Sequence, residues 1–485
     1  MRTPVPFRLV TIGLLSLALA ACQAGSRPAS PADAVGLPAA DASSGASPNI
    51  TPPAPAAISP LPGLDGQPSL AWLLVGHPGT SELQVILSTT GEVSLTIPDG
   101  APRTNWDRVV TTTADENTTI VRDLIVQPGF GGPEVRIAGR WQLPTVGLDP
   151  TLLGRSLDGS TIALVEAPSG GSPEAAPSRS RFAILEHRLM DVVQTAGDTP
   201  FGPPRVIELP GTFEYDALSP DGRILYVVEH LDAEQRGRYQ VRAVDVATGV
   251  MRDAVIVDKT KVDETMAGSP IAQVRRPGGV VLTLYRGPEH PFIHALNSAE
   301  AWAVCIDLPT GAGASTAGAD GALDWGLAPS ADGTAVYAVN ASLGVVVDVD
   351  PIALSVRRSA AIATTAVGGP AARSAGGSGS IVLAKFGHAD SGPIGRRVVA
   401  SPDGRWIFAA GSGGIAAIRA KDLAIVRHDL PDAAIDGLGI TPDGTVLFAL
   451  LRASGEIVAL TTGDGTRLAP VPGSGFDRLL AVAAW

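Results

Sequence analysis

The sequence predicts an all-β chain, a single β-propeller of four-stranded antiparallel blades. Three observations predict it: a turn that recurs, an apolar run after each copy, and a composition short of charge. Ser-Pro-Asp-Gly stands at 219–222 and 401–404, and Thr-Pro-Asp-Gly at 441–444. Looser copies stand at 156–159 (Ser-Leu-Asp-Gly) and 330–333 (Ser-Ala-Asp-Gly). Proline pre-sets φ at the first corner, aspartate bonds a backbone N–H two residues on, and glycine takes the positive φ that closes the turn. The runs that follow, 162–165, 224–228, 335–339, 406–409 and 446–450, are rich in Val, Ile, Ala and aromatic residues. Those are the residues of buried strands. Turn and strand recurring in one order mark a repeat array, not a set of unrelated surface turns. Of 485 residues, 17% are charged and 45% hydrophobic, with 56 Gly and 41 Pro, which suits short buried strands joined by tight turns. The net charge of −12 argues against a nucleic-acid partner, which wants a basic surface.

Taken in chain order, residues 1–21 are a targeting segment. Arg2 and Arg8 supply the positive end, and 9–19 an apolar core too short to be a typical membrane span. Leu19-Ala20-Ala21-Cys22 follows. This resembles a bacterial lipoprotein signal, which implies cleavage before Cys22 and a diacylglycerol on its thiol. The resemblance implies an extracytoplasmic, membrane-anchored protein. Gln23 stands where an Asp would resemble an inner-membrane retention signal. The expectation is therefore the outer membrane in a diderm cell, or the outer leaflet of the cell membrane in a monoderm one. Residues 22–69 are mostly Ala, Pro, Ser and Gly, a tether that cannot bury a core.

Residues 70–485 carry the repeat. The unit from Phe213 shows its order: a strand over 213–218, the turn, strands over 224–228 and 239–246, a tight turn at 247–249, and a strand over 250–257. Four antiparallel strands per repeat make one propeller blade. Units begin near 104, 147, 211, 269, 322, 394 and 434. Residues 69–97 supply only three strands (70–75, 82–87, 92–97), and 475–485 supply a lone first strand. The two fragments complete one blade, which closes the ring and removes exposed edges. The count is eight blades, with seven the alternative. Segments 169–179 and about 360–392 are Gly-, Ala-, Ser- and Pro-rich inserts.

The third-strand ending Val244-Asp245-Val246-Ala247-Thr248-Gly249 and the second strand Tyr337-Ala338-Val339-Asn340 resemble YVTN-type repeats of extracytoplasmic bacterial and archaeal propellers. Tyr226-Val227-Val228-Glu229 is a weaker match, and 406–409 and 446–449 depart from the signature. Seven blades are the commoner number in that family.

Aligned on the turn, six first strands open with an apolar residue and an acid: Asp107, Asp149, Glu214, Asp324, Asp436 and Asp477. One blade carries Arg396 at that place and another Ile271. In a propeller these acids would ring one channel mouth. They would either hold a divalent cation or cationic ligand, or cap the backbone and pin blade to blade. No other cofactor is expected. Cys305, in a strand-like run over 301–306, is the one cysteine other than Cys22; it has no disulfide partner, so there is no disulfide framework, and it reads as a small buried hydrophobe, with no nearby His or Asn motif to make it a nucleophile. His290 and His294 are four apart, roughly 13 Å on a strand, too far to share one ion; paired with Glu289 they are a surface-loop candidate site. Glu166, Glu229 and His230 end second strands. No Walker A, Rossmann, HExxH, GxSxG or CxxCH motif appears in its required context.

The expected function is therefore a lipid-anchored binding or scaffold module, taking a protein, glycan or small ligand on one face of the disc. The alternative, which the resemblance implies, is a propeller enzyme, lactonase-like or quinoprotein-dehydrogenase-like, working at the acidic mouth. The expected partners are the membrane through Cys22 and a protein or glycan, and the chain is expected to be a monomer.

Overall fold

The computed structural model describes residues 71–483 apart from 81, 99, 103–107, 116, 130–131, 144–147, 167–178, 188–202, 232–237, 257, 260–265, 288–289, 311–324 and 362–395. The expected targeting segment and tether, with Cys22, and residues 362–392 of the expected second insert lie outside these residues, while Ala360 and Ala361 end the outer strand Ser355–Ala361 of blade 6.

Eight antiparallel sheets form eight blades. Their innermost strands are Arg478–Ala483 (blade 1), Gly100–Pro102 (blade 2), Leu148–Arg155 (blade 3), Phe213–Leu218 (blade 4), Ser269–Arg275 (blade 5), Trp325–Pro329 (blade 6), Val398–Ala400 (blade 7) and Ile435–Ile440 (blade 8). Blade 1 is the composite: its other strands are Trp72–Gly76, Leu83–Leu87 and Val93–Ile97, and Trp72 pairs with Ala483. Blade 8 has three strands, and the bridge between Leu460 and Arg467 stands in for its fourth.

A buried apolar cluster fills each of the eight boundaries between blades. That between blades 8 and 1 joins Leu73, Val75 and Leu479 to Phe448 and Leu450. The ring is closed because this seam is packed like the other seven. Burial on both sheet faces explains why middle strands are continuously apolar. Val336–Asn340 is buried at every position, and its Asn340 caps the next turn by accepting the Leu343 N–H at 2.8 Å.

The recurring turn is one hydrogen-bond circuit used five times. In blade 4 the Gly222 N–H donates to the Ser219 carbonyl at 2.9 Å. The Ser219 hydroxyl donates to Asp221 at 2.7 Å and accepts the Ile224 N–H at 2.9 Å. In blade 6, the Thr334 N–H and the Ser330 hydroxyl hold the Asp332 carboxyl down at about 2. Gly222 has φ 70°, and a Cβ there would lie 2.1 Å from Thr161 Oγ1 in blade 3. That glycine serves both turn geometry and blade packing.

Blade 2 differs from the sequence reading. Its innermost strand is the three-residue Gly100–Pro102, and Arg108–Asp115 is its second strand. The unit therefore begins before Thr104, and Asp107, itself outside the described residues, precedes the second strand instead of opening the first. A three-residue strand shows no periodicity. It fits because Gly100 lets Leu83 and Val109 approach to within 3.0 Å of where a Cβ would be.

Candidate functional site

Each predicted channel acid whose side chain is described has a basic partner. Glu214 Oε1 lies 3.3 Å from His230 Nε2. Asp436 Oδ1 takes Arg452 Nε at 2.7 Å and lies 3.6 Å from Arg397 Nη2. Asp477 takes Arg478 Nε at 3.0 Å. Asp149 lies on the innermost strand of blade 3, paired with Val165, and its side chain is not described; Asp107 and Asp324 lie outside the described residues. Arg396 accepts the Leu438 N–H on its carbonyl at 2.7 Å, tying blade 7 to blade 8. Glu214 thus joins two strands of blade 4, and Asp436 ties blade 8 to blade 7 through Arg397. Among the described residues, no three His, Cys, Asp or Glu side chains converge to hold a metal ion.

Two other readings change. Cys305 does have a histidine beside it: it pairs across the strands with His294, whose Nδ1 lies 3.9 Å from Sγ. His294 is fully buried, while His290 Nε2 meets Asp307 at 3.0 Å, so the two histidines do not share a loop. Glu229 is bonded to Arg242 and Gln240, and Glu166 to Arg181.

Among the described residues, a polar grouping spans blades 2 to 5 near the turn end of the innermost strands. Arg155 ends the strand of blade 3 and Arg275 that of blade 5. The Arg275 guanidinium donates to the Arg155 carbonyl and, at 2.5 Å, to the Tyr215 hydroxyl of blade 4. Three neighbouring strands are thus held by one side chain. Tyr215 packs on Gly154, where a Cβ would lie 1.8 Å from its ring. Arg155 donates through Nε to the Gly159 carbonyl at 2.8 Å, and its Nη1 lies 3.9 Å from Asp123 Oδ2. Asp123 is fully buried, with His187 Nε2 at 2.9 Å and Arg108 Nη1 at 3.6 Å. Arg108 and Arg155 keep 22% and 18% of their side chains exposed.

Asp216 belongs to the same sector. It is the extra residue of a β-bulge, since Tyr215 pairs with Val227 and Ala217 with Tyr226. Bulges re-aim side chains, and this one sends a carboxylate into the interior. Asp216 is fully buried and neither carboxylate oxygen accepts a hydrogen bond. Burial pushes its carboxyl up to about 7 against the pull of Arg275. Gln273 of blade 5 donates to the Asp216 carbonyl at 3.2 Å and to Thr283 Oγ1 at 2.9 Å.

The sequence reading did not single out this sector, although its signal is present. The residue before each turn is Arg155, Leu218, Arg275, Pro329, Ala400 and Ile440, two arginines in an otherwise apolar position. The bulge at Asp216 carries no sequence mark.

No protein-family model matches the chain, and no curated protein matches its sequence. Solved structures match its fold. Apo AztD from Citrobacter koseri is 13% identical, with a TM-score of 0.46 over 85% of this chain and 98% of that one. A functionally unknown protein from Desulfotomaculum acetoxidans is 11% identical, with a TM-score of 0.40 over 86% and 99%. The dihydro-heme d1 dehydrogenase NirN is 13% identical, with a TM-score of 0.46 over 89% and 78%. At these identities the likeness concerns the propeller fold alone.

Proposed function

We propose that the chain is a lipid-anchored, extracytoplasmic binding propeller that seats a small anionic ligand, carrying a carboxylate or a phosphate, in the polar sector of blades 2 to 5. The observation that carries this reading is the pair Arg155 and Arg275, in register at a position that is apolar in the other turn-bearing blades. With Arg108 they set three guanidiniums beside the buried carboxylates Asp123 and Asp216. One of those, Asp216, is half protonated at about pH 7. Buried or half-buried positive charge calls for an anion. The signal ending in Cys22 supports the anchor, and residues 244–249 and 337–340 support kinship with YVTN-type propellers.

A carboxyl titrating near 7 also suits a general acid or base, which favours an enzyme as the second reading. Asp216 is fully buried, and this favours binding over catalysis. Titration calorimetry of the purified protein with inorganic phosphate and with glucuronate tests the proposal. Saturable heat with either anion supports it, and none with both refutes it.

A further inference from the structure

The hairpin Thr118–Gly129 with Gly132–Leu143 has twelve-residue strands, the longest in the molecule's described part. Leu124 and Val126 enter the core between blades 1 and 2, against Leu74, Leu83 and Val85. Their cross-strand partners Ile137 and Val135 share that face but stay 39% and 36% exposed. The hairpin's tip reaches blade 1, where Trp72 and Ser94 come within 4.0 Å of a Cβ built on Gly132. Val93, next to Ser94, is 47% exposed. An apolar strip therefore lies on the rim where two outer strands meet.

Gly132–Leu143 is the outermost strand of blade 2, and no described strand pairs with its free edge. Glu134, Val135, Arg136 and Ile137 are all exposed. Glu134 accepts from Gln127 at 2.7 Å, and Arg136 has no ion pair among the described residues. Outer-strand arginines of blades 6 and 7 do have carboxylate partners: Arg357 and Arg358 close on Asp350 and Asp348, and Arg427 on Asp429.

The pattern Glu134-Val135-Arg136 is complementary to itself. Antiparallel pairing about a two-fold axis through Val135 sets Glu134 of each copy against Arg136 of the other and valine against valine. An axis through Arg136 sets arginine against arginine, which disfavours that register. We infer that two copies of this chain join edge to edge through this strand as an isologous dimer. The contact departs from the monomer expected from sequence. It is independent of the channel sector, because it uses the rim.

Sedimentation velocity with light scattering on the intact protein, at high micromolar concentration, tests this. The wild type should run at twice the chain mass, Glu134→Arg and Arg136→Glu should each run as monomers, and the double reversal should restore the doubled mass. Circular dichroism of each variant verifies that it is folded. A monomeric wild type, or single reversals that stay dimeric while folded, would overturn the inference.

Discussion

The Arg275 guanidinium donates to the Tyr215 hydroxyl at 2.5 Å across the boundary between blades 4 and 5. The same side chain bonds the Arg155 carbonyl of blade 3 and is the cation acting on Asp216. Arg275→Met should remove all three interactions and cost about 3 kcal/mol. Urea unfolding at pH 8, where Asp216 lacks its proton, should show the largest loss.

Asp216 sets a pH dependence of known sign. Its carboxyl rises from 3.8 to about 7 on folding, so between those values the folded state holds more protons than the unfolded one. Stability from this group is fully present at low pH and falls as pH rises through that window. Asp216→Asn should flatten the dependence and leave the protein more stable than wild type at pH 8, by about 2–4 kcal/mol. A wild-type melting temperature unchanged between pH 5 and pH 8 would contradict this.

Ser401 is nearly fully buried. Its hydroxyl donates to Asp403 at 2.5 Å and accepts the Trp406 N–H at 2.9 Å. Ser401→Ala strands that N–H and should cost about 1–2 kcal/mol in chemical denaturation. The same change at the exposed Ser454 should cost little.

The fold was largely legible in the chain because the turn, being a local circuit of Ser, Asp and Gly, writes itself into sequence at fixed spacing. It located the composite blade built from residues near Trp72 and Leu479. It could not locate Gly100–Pro102, where closure depends on a missing Cβ. The channel acids were legible as a pattern, but their basic partners were not. His230 lies sixteen residues from Glu214 and Arg452 sixteen from Asp436, and only strand pairing brings them together. Asp216 was invisible for the same reason: register alone buries it.

Ring closure should dominate stability. Arg478–Ala483 is the innermost strand of blade 1, with Leu479 fully buried and Arg478 donating to the Thr80 carbonyl at 2.7 Å. Deleting 476–485 opens blade 1 and exposes its edge. Calorimetry should show loss of the single cooperative transition, with aggregation on heating. A truncated protein melting like the full chain would contradict ring closure at this seam.

The proposed anion seat lies in the polar sector of blades 2 to 5, around Arg155 and Arg275. Thermal melting of the wild type and of Arg155→Gln, each with and without inorganic phosphate or glucuronate at low ionic strength, tests it most directly. The wild-type melting temperature should rise with the concentration of at least one anion, and that of the variant should not. An equal rise in both proteins, or no rise in the wild type, would contradict it.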